Sequence, residues 1–518
     1  LLLTNYDMKI FPSAKNILNW ATYIIDTTMN PTTNTQETTK WSQFGTLITV
    51  FFFWGFVAAS NDILIPVFKE KLHLSQVQAQ MVSFAFYVAY SVGSIIYFLI
   101  SKMIKQDLLN KIGYKNGISF GLIISALGTL LFIPAANLSS FPLFISGLFT
   151  IGLGFSLQQT AANPLAINMG SASTGSQRLS MAGGINNFGT TIGPLIVNLA
   201  IFGSISTVLA SSLESVKMPY LILGGAFLLV AIIFYFSAVP NQLVNNIEKP
   251  SADTATFIDR GSPFKYPQLL FGLIAIFVYV GVEVSTAANL PEFMKQKLGT
   301  STSGAAPYIS LFWASLMIGR WTSSVDAFGL SGSVKKIIQF LMPYLAFGVF
   351  LFMNAIAKHD LAPFYIYSVI ILVLIVANYF SKGDPSRQLL LFSLLGILAL
   401  LVGIFSPNYQ ISIYAFCSVG LFCSTLWPCI FTLSISGLGK HTSEGSNFLV
   451  FMICGGGFIS VLQGYLSADN LLGISLSYSV GIICFAYLAF YAIKAKRDLK
   501  SQGIDLEQMS NNSTKAGH

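Results

Sequence analysis

WGFVAASNDILIP, residues 54–66, is the stretch whose reading decides the fold. It lies in the first long apolar run of the chain and holds one carboxylate, Asp62, beside one amide, Asn61. A carboxylate at membrane depth costs about 3 kcal/mol at a helix centre even on lenient scales. Such a group is expected to face a partner, a cavity or an ion path, so this helix reads as a carrier or gate element with Asp62 as its titratable group.

The surrounding composition supplies the membrane. Of 518 residues, 54% are hydrophobic and 9% charged, against roughly 25% charged in an average soluble domain. Apolar runs of about 20 residues recur from Phe44 to Ile493, each long enough to cross a bilayer as a helix. A membrane β-barrel would show alternation instead, and Ile370-Ile-Leu-Val-Leu-Ile-Val376 does not alternate. The fold class expected is therefore an all-α polytopic membrane protein with about fourteen spanning helices. They fall near 44–68, 79–101, 116–135, 141–169, 179–203, 218–238, 267–290, 305–327, 335–356, 361–380, 388–405, 411–436, 446–466 and 474–495.

Charge orients the chain. With a cytoplasmic N-terminus the inner loops hold Lys102, Lys105, Lys111, Lys115, Arg178, Lys249, Arg260, Lys265, Lys335, Lys336, Lys382, Arg387 and Lys440. The outer loops hold only Lys69, Lys71, Lys217, Lys295, Lys297 and Lys358. The excess places both termini in the cytoplasm. The net charge of +8 is dispersed over these loops, so no nucleic-acid partner is expected. The five cysteines lie in apolar runs without metal-ligand spacing and read as packing residues. Residue 1 is Leu, and Met29 opens a polar tail with the look of a natural start, so residues 1–28 read as upstream translation or as added, non-native sequence. The domain reading is a tail at 1–43, a six-helix bundle at 44–238, a polar cytoplasmic linker at 239–266, a second bundle at 267–495 and a cytoplasmic tail at 496–518.

The two bundles repeat. With Pro66 laid on Pro291, each proline has an aromatic twelve residues before it (Trp54, Tyr279) and a Phe two residues after it. One inserted residue later, Phe86-Tyr87 falls on Phe312-Trp313 and Gly93 on Gly319. Glu283 then falls one helical turn from the position of Asp62, so the two carboxylates are expected to face one central space from opposite halves. Pro164 and Pro428 also look equivalent, with an offset larger by 38 residues. A helix pair inserted near 335–380 accounts for the difference. Internal repeats of this kind mark secondary transporters, whose sites lie between the halves near the bilayer midplane.

Amides on the fourth and fifth helices, Gln158, Gln159, Asn163, Asn186 and Asn187, offer both donor and acceptor and suit the hydroxyls of a sugar. Asn61 and Gln463 join them as candidate substrate contacts. Trp313 and Trp427 are candidate stacking surfaces for the apolar face of a hexose. Arg320 reads as a gating or topology residue at a helix end. No nucleotide loop, metal set or catalytic constellation emerges, so neither an enzyme nor a cofactor is expected. The partners expected are a small sugar and the lipid bilayer, with the protein a monomer.

Several segments together resemble the fucose–proton symporter family of the major facilitator superfamily, which includes glucose/galactose transporters. They are NDILIPVFK, NKIGYKNGI, TAANP, GSQRLSMAGGINNFGTTIGPL, YVGVEV, Ile318-Gly319-Arg320 and FTLSISGLGKHTSEGS, in that order. The resemblance implies two six-helix bundles rocking about a central sugar site, driven by a cation gradient across a cell (inner) membrane. It implies proton coupling at Asp62, and a helix-clamping, gating role for Lys111 and Lys115. The chain departs from the pattern at Gln159, where the fucose-transporting member has a glutamate. It departs again at Gly183, Cys423 and Trp427, where the family tends to have Gln, Asn and Phe. The function expected is proton-coupled hexose uptake. The alternatives are sodium coupling, a sugar sensor that does not transport, and an exporter of apolar compounds. Amides on helices 4 and 5 argue against the exporter, and the short tail after Lys500 argues against the sensor.

Overall fold

The computed structural model describes residues 39–71, 76–202, 214–243, 259–300, 302–330 and 332–506. The expected tail at 1–28 and most of the expected linker lie outside them. Apolar runs become helices because backbone polar groups in hydrocarbon must pair within their own segment. The first six long helices are α1 (Trp41–Lys71), α2 (Gln76–Met103), α3 (Tyr114–Leu130), α4 (Phe141–Asn168), α5 (Gly175–Phe202) and α6 (Glu214–Phe236). Then come α7 (Pro267–Leu298), α8 (Thr302–Ser324), α9 (Gly332–Ile356), α10 (Tyr367–Ser381) and α11 (Pro385–Phe405). The last are α12 (Tyr409–Cys423), α13 (Leu426–Ile435), α14 (Thr442–Phe451), α15 (Gly455–Leu466) and α16 (Ser479–Ser501). Each of the fourteen segments expected from the sequence falls on helix. Ten helical segments among the described residues are long and apolar enough to cross a membrane. The other four expected segments, α1, α5, α6 and α8, are also helical. Helix α7 runs past Pro291 to Leu298, eight residues beyond the expected end.

Helix pairing repeats across the chain. In the first half α1 packs on α5, α2 on α4, and α3 on both α4 and α6. In the second half α7 packs on α15, α8 on α12, and α11 on both α12 and α16. These are the same pairings once α12–α13 counts as one broken helix and α14–α15 as another. Helices α9 and α10 have no counterpart in that pattern. They pack on each other and on α8 and α11, and α9 turns Ile337, Leu341, Leu345 and Phe352 outward.

Glycine sets the closest approach. A Cβ on Gly55 would run into the Asn186 carbonyl, and one on Gly189 into the Phe52 carbonyl. The α1–α5 seam therefore closes backbone to backbone, as small residues permit in membranes. Asn186 seals it, its Nδ2 donating to the Phe51 carbonyl at 3.0 Å. Gly55→Ala is expected to pry this seam apart and to destabilise by about 1–3 kcal/mol, as overpacking does. A lowered midpoint of thermal unfolding in detergent is the readout; an unchanged midpoint would show that the seam has slack.

Two prolines release carbonyls inside the bundle. Pro164 has no N–H to offer the Thr160 carbonyl one turn back. That carbonyl accepts instead from Ser446 Oγ of α14, at 2.9 Å. Pro428 likewise frees the Ser424 carbonyl, and the helix breaks at Ser424-Thr425 between α12 and α13. The two prolines matched by the repeat thus create the same device twice.

The halves meet along α2–α14 and α5–α8. Ser94 Oγ donates to the Asn447 carbonyl at 3.2 Å, and Asn447 Nδ2 returns a bond to the Ser94 carbonyl at 3.1 Å. Ser91 Oγ donates to the Phe451 carbonyl at 3.2 Å. At the loops, Asn110 Nδ2 reaches the Lys440 carbonyl at 3.2 Å and Gln177 Nε2 the Gly383 carbonyl at 2.9 Å. These bonds lie at the end that carries Lys102, Arg178, Lys382 and Lys440, so the two halves are closed against each other on that side.

Candidate functional site

The centre of the site is Arg320, on α8 one turn before its end. It is 9% exposed and touches both halves. Its Nε donates to the Ser424 carbonyl at 2.9 Å, the group that Pro428 leaves free. Its Nη1 donates to Asn187 Oδ1 at 2.8 Å and to the Gly183 carbonyl at 3.3 Å, both on α5. Its Nη2 donates to Tyr279 Oη of α7 at 3.3 Å. Tyr279 in turn donates its hydroxyl proton to Glu283, one turn further along α7. A cation and a carboxylate are thus joined through one phenol, inside the bundle, with every guanidinium nitrogen bonded. That arrangement offsets the desolvation each charge suffers.

The reading of Arg320 as a gating or topology residue at a helix end needs its position restated. The side chain does not turn out to the loop. It folds inward, because the freed Ser424 carbonyl and Asn187 supply acceptors there. Gly183 stands where the resembled family has Gln, and a Cβ at Gly183 would press on the guanidinium. The glycine leaves the space that Arg320 fills.

The expected substrate contacts separate into groups. Gln159 and Asn186 are partly accessible, and Gln159 Nε2 donates to Tyr90 Oη at 3.1 Å. Its neighbour Gln158 is fully buried. Gln158 Oε1 accepts from Trp54 Nε1 at 2.9 Å and its Nε2 donates to Ser125 Oγ at 3.0 Å. Both ends of this amide are occupied, so it ties α1, α3 and α4 together rather than meeting a substrate. Asn187 holds Arg320. Asn163 is buried with its Nδ2 unpartnered. Gln463, on α15, is buried with neither amide atom partnered.

Trp427 is half-buried, its ring centroid 6.2 Å from that of Tyr279, which brings an aromatic face to the Glu283 cluster. Trp313 packs edge-on against Phe312 at 5.4 Å and joins none of the bonds around Arg320. The side chains of Asn61 and Asp62 lie outside the described residues; their backbone continues α1. Lys111 is exposed on the short helix Leu108–Ile112, and Lys115 Nζ donates to the Ser237 carbonyl at 3.2 Å. Both belong to a clasp at the loop between α2 and α3, in which Asp107 caps that short helix and accepts from Tyr97 Oη at 2.9 Å. They are not part of the central site.

Tyr90 and Ser424 were not singled out from the sequence, and Tyr279 entered only as the repeat's match to Trp54, not as a site residue. Tyr279 carried a usable signal, since it stands one helical turn before Glu283. Ser424 did too, four residues before Pro428.

The arrangement can do two things chemically. The accessible amides and aromatic faces can hold a neutral, hydroxylated molecule. The Arg320–Tyr279–Glu283 chain links the halves through a charge that a protonation event on the carboxylate would alter.

The Major Facilitator Superfamily model matches residues 44–381. A glucose/galactose transporter of Brucella abortus (strain 9-941) is 33% identical over 465 residues, covering 88% of this chain and 96% of that protein. A putative glucose/galactose transporter of Helicobacter pylori (strain J99) is 29% identical over 472 residues, covering 89% and 98%. The L-fucose-proton symporter of Escherichia coli is 27% identical over 467 residues, covering 87% and 92%. A crystal structure of FucP, a major facilitator superfamily transporter, in the outward conformation superposes with a TM-score of 0.65 at 25% identity, over 87% of this chain and 98% of that one.

Proposed function

The chain belongs to the major facilitator superfamily, within its fucose–proton symporter family, and from that premise we propose that it is a sugar transporter that carries a hexose inward with a proton. The observation that supports this most is the Arg320–Tyr279–Glu283 chain, in which a partly buried carboxylate, with the Trp427 ring next to Tyr279, is bonded through that phenol to the arginine joining the two halves. The names of its relatives favour glucose or galactose as the hexose.

In this reading all fourteen helices cross the inner membrane, both termini are cytoplasmic, and α9–α10 are additional to twelve core helices. Asp62 binds the proton from outside while sugar is held by Gln159, Asn186 and Asn163 and covered by Trp427. Loading lets the halves rock. The bonds along α2–α14 and from Arg320 to α5 then part, and sugar and proton leave on the cytoplasmic side. Glu283 contributes a second titratable group, since the helix 4 position that holds a glutamate in the fucose-transporting member holds Gln159 here. Sodium coupling is the second reading, and the same substitution favours it.

The direct test is uptake of labelled glucose, galactose and fucose into proteoliposomes under imposed gradients. Accumulation of a hexose under an inward proton gradient, collapsing when the gradient is dissipated, is the expected result. Accumulation that follows only a sodium gradient would replace the proton by sodium. No uptake of any hexose would refute the transport reading.

A further inference from the structure

Helices α7 and α15 run side by side in a register that two close contacts define. Gly455 lies against the backbone of Phe277, and Gly281 against Ile459. Both pairs are 178 residues apart. One turn further along, the same register puts Ser285 level with Gln463. Ser285 has no exposure, and Thr286 and Gln463 have 1% each. Yet Ser285 Oγ, Thr286 Oγ1 and both Gln463 amide atoms have no hydrogen-bond partner within the protein. Four such polar atoms on three buried side chains at one level of two packed helices are uncommon, because buried polar groups are nearly always bonded. Such groups call for a partner from outside the chain.

The position says which partner. Tyr279, Glu283 and Thr286 fall at helical spacing on one stripe of α7, a polar line on an otherwise apolar membrane helix. Thr286 therefore adjoins the central site on the side away from Arg320. The three side chains are neutral, and each both donates and accepts. That chemistry matches neighbouring ring hydroxyls, which also do both, better than it matches an ion.

We propose that Ser285, Thr286 and Gln463 form a hydroxyl-recognition subsite at the α7–α15 seam, which takes one or two adjacent ring hydroxyls of the transported sugar and so sets sugar preference. The proposal rests on the transport reading above. The seam opens by a side-chain movement that admits the ring edge, and the orphaned atoms then find partners.

The test is uptake of the parent hexose and its single-deoxy analogues by proteoliposomes holding wild type, Gln463→Ala, Gln463→Asn or Thr286→Val. In wild type, loss of the recognised hydroxyl is expected to raise KM about tenfold, the range of one hydrogen bond left unmade. Gln463→Ala is expected to raise KM for the parent sugar by a similar factor, with kcat within about twofold. It should also no longer distinguish the parent from that one analogue. Gln463→Asn should keep part of the distinction, and Thr286→Val should lose it for the same hydroxyl or its neighbour. Variants that transport with the wild-type pattern across all analogues overturn the subsite. So does a uniform rise in KM across the panel, which a merely structural role would produce. Absence of hexose uptake by wild type itself refutes the transport reading, a distinct result.

Discussion

Asp62→Asn is expected to end accumulation: the ratio of internal to external sugar should fall to about one, while exchange of labelled for unlabelled sugar continues. Asn has the size of a protonated aspartate and cannot give up a proton. It fixes α1 in the loaded, neutral form, which is the form able to cross between the two facing states. Desolvation favours the neutral form of any carboxylate, and opening to water favours the ionised one. A carrier needs both, and the amide allows only the first. Pro66 stands four residues after Asp62, so the Asp62 carbonyl also lacks its usual helical donor. The Thr160 and Ser424 carbonyls, freed in the same way, are both bonded across the bundle. The measurement is accumulation under an imposed pH gradient, with counterflow in the same vesicles. A variant that still concentrates sugar as wild type does removes Asp62 from coupling. One that loses counterflow as well assigns Asp62 to sugar binding instead.

The parts legible in the sequence are those set by local chemistry. Apolar run length located the helices, because hydrocarbon leaves the backbone no other choice. The matched prolines marked equivalent positions, but the break at Ser424-Thr425 inside the helix expected over 411–436, and the freed Thr160 carbonyl, came only with the structure. The repeat aligned Trp54 with Tyr279, and both are buried hydrogen-bonding aromatics. What did not show was the phase of each polar group around its helix. Helix α4 is apolar on nearly every side, so its pattern has no direction to give. Gln158 and Gln159 looked alike, yet they point a quarter-turn or so apart, one into the α1–α3 packing and one toward Tyr90. The contacts of Arg320 were hidden for a related reason. Its four partners come from α5, α7 and the α12–α13 break, and no spacing in the chain relates them. Ser285 and Thr286 were overlooked because small hydroxyl residues in a membrane helix usually bond their own backbone; the helical spacing of Tyr279, Glu283 and Thr286 was the available signal.

Arg320→Gln is expected to give the largest loss of stability of any single change in the bundle, about 3–5 kcal/mol, together with loss of transport. Removing one member of a charge pair held inside the bundle leaves the other short of compensation for its lost solvent. Here the group left behind is Glu283, which keeps the Tyr279 hydroxyl as its bonded partner among the described residues. The α5 acceptors Asn187 Oδ1 and the Gly183 carbonyl lose their donor at the same time, and with them goes a link between the halves. Glu283→Gln placed on top of Arg320→Gln should therefore recover part of the lost stability, since it removes the stranded carboxylate. Coupling of this sign is the mark of residues in one network. Thermal unfolding of the four proteins in detergent reads it directly. If the double variant is as unstable as the two separate losses combined, Arg320 and Glu283 act independently and the chain through Tyr279 has no energetic weight. If stability recovers but uptake does not, the arginine is needed for motion as well as for balance. Its bonds to α5 are then ones that must form and break in each cycle.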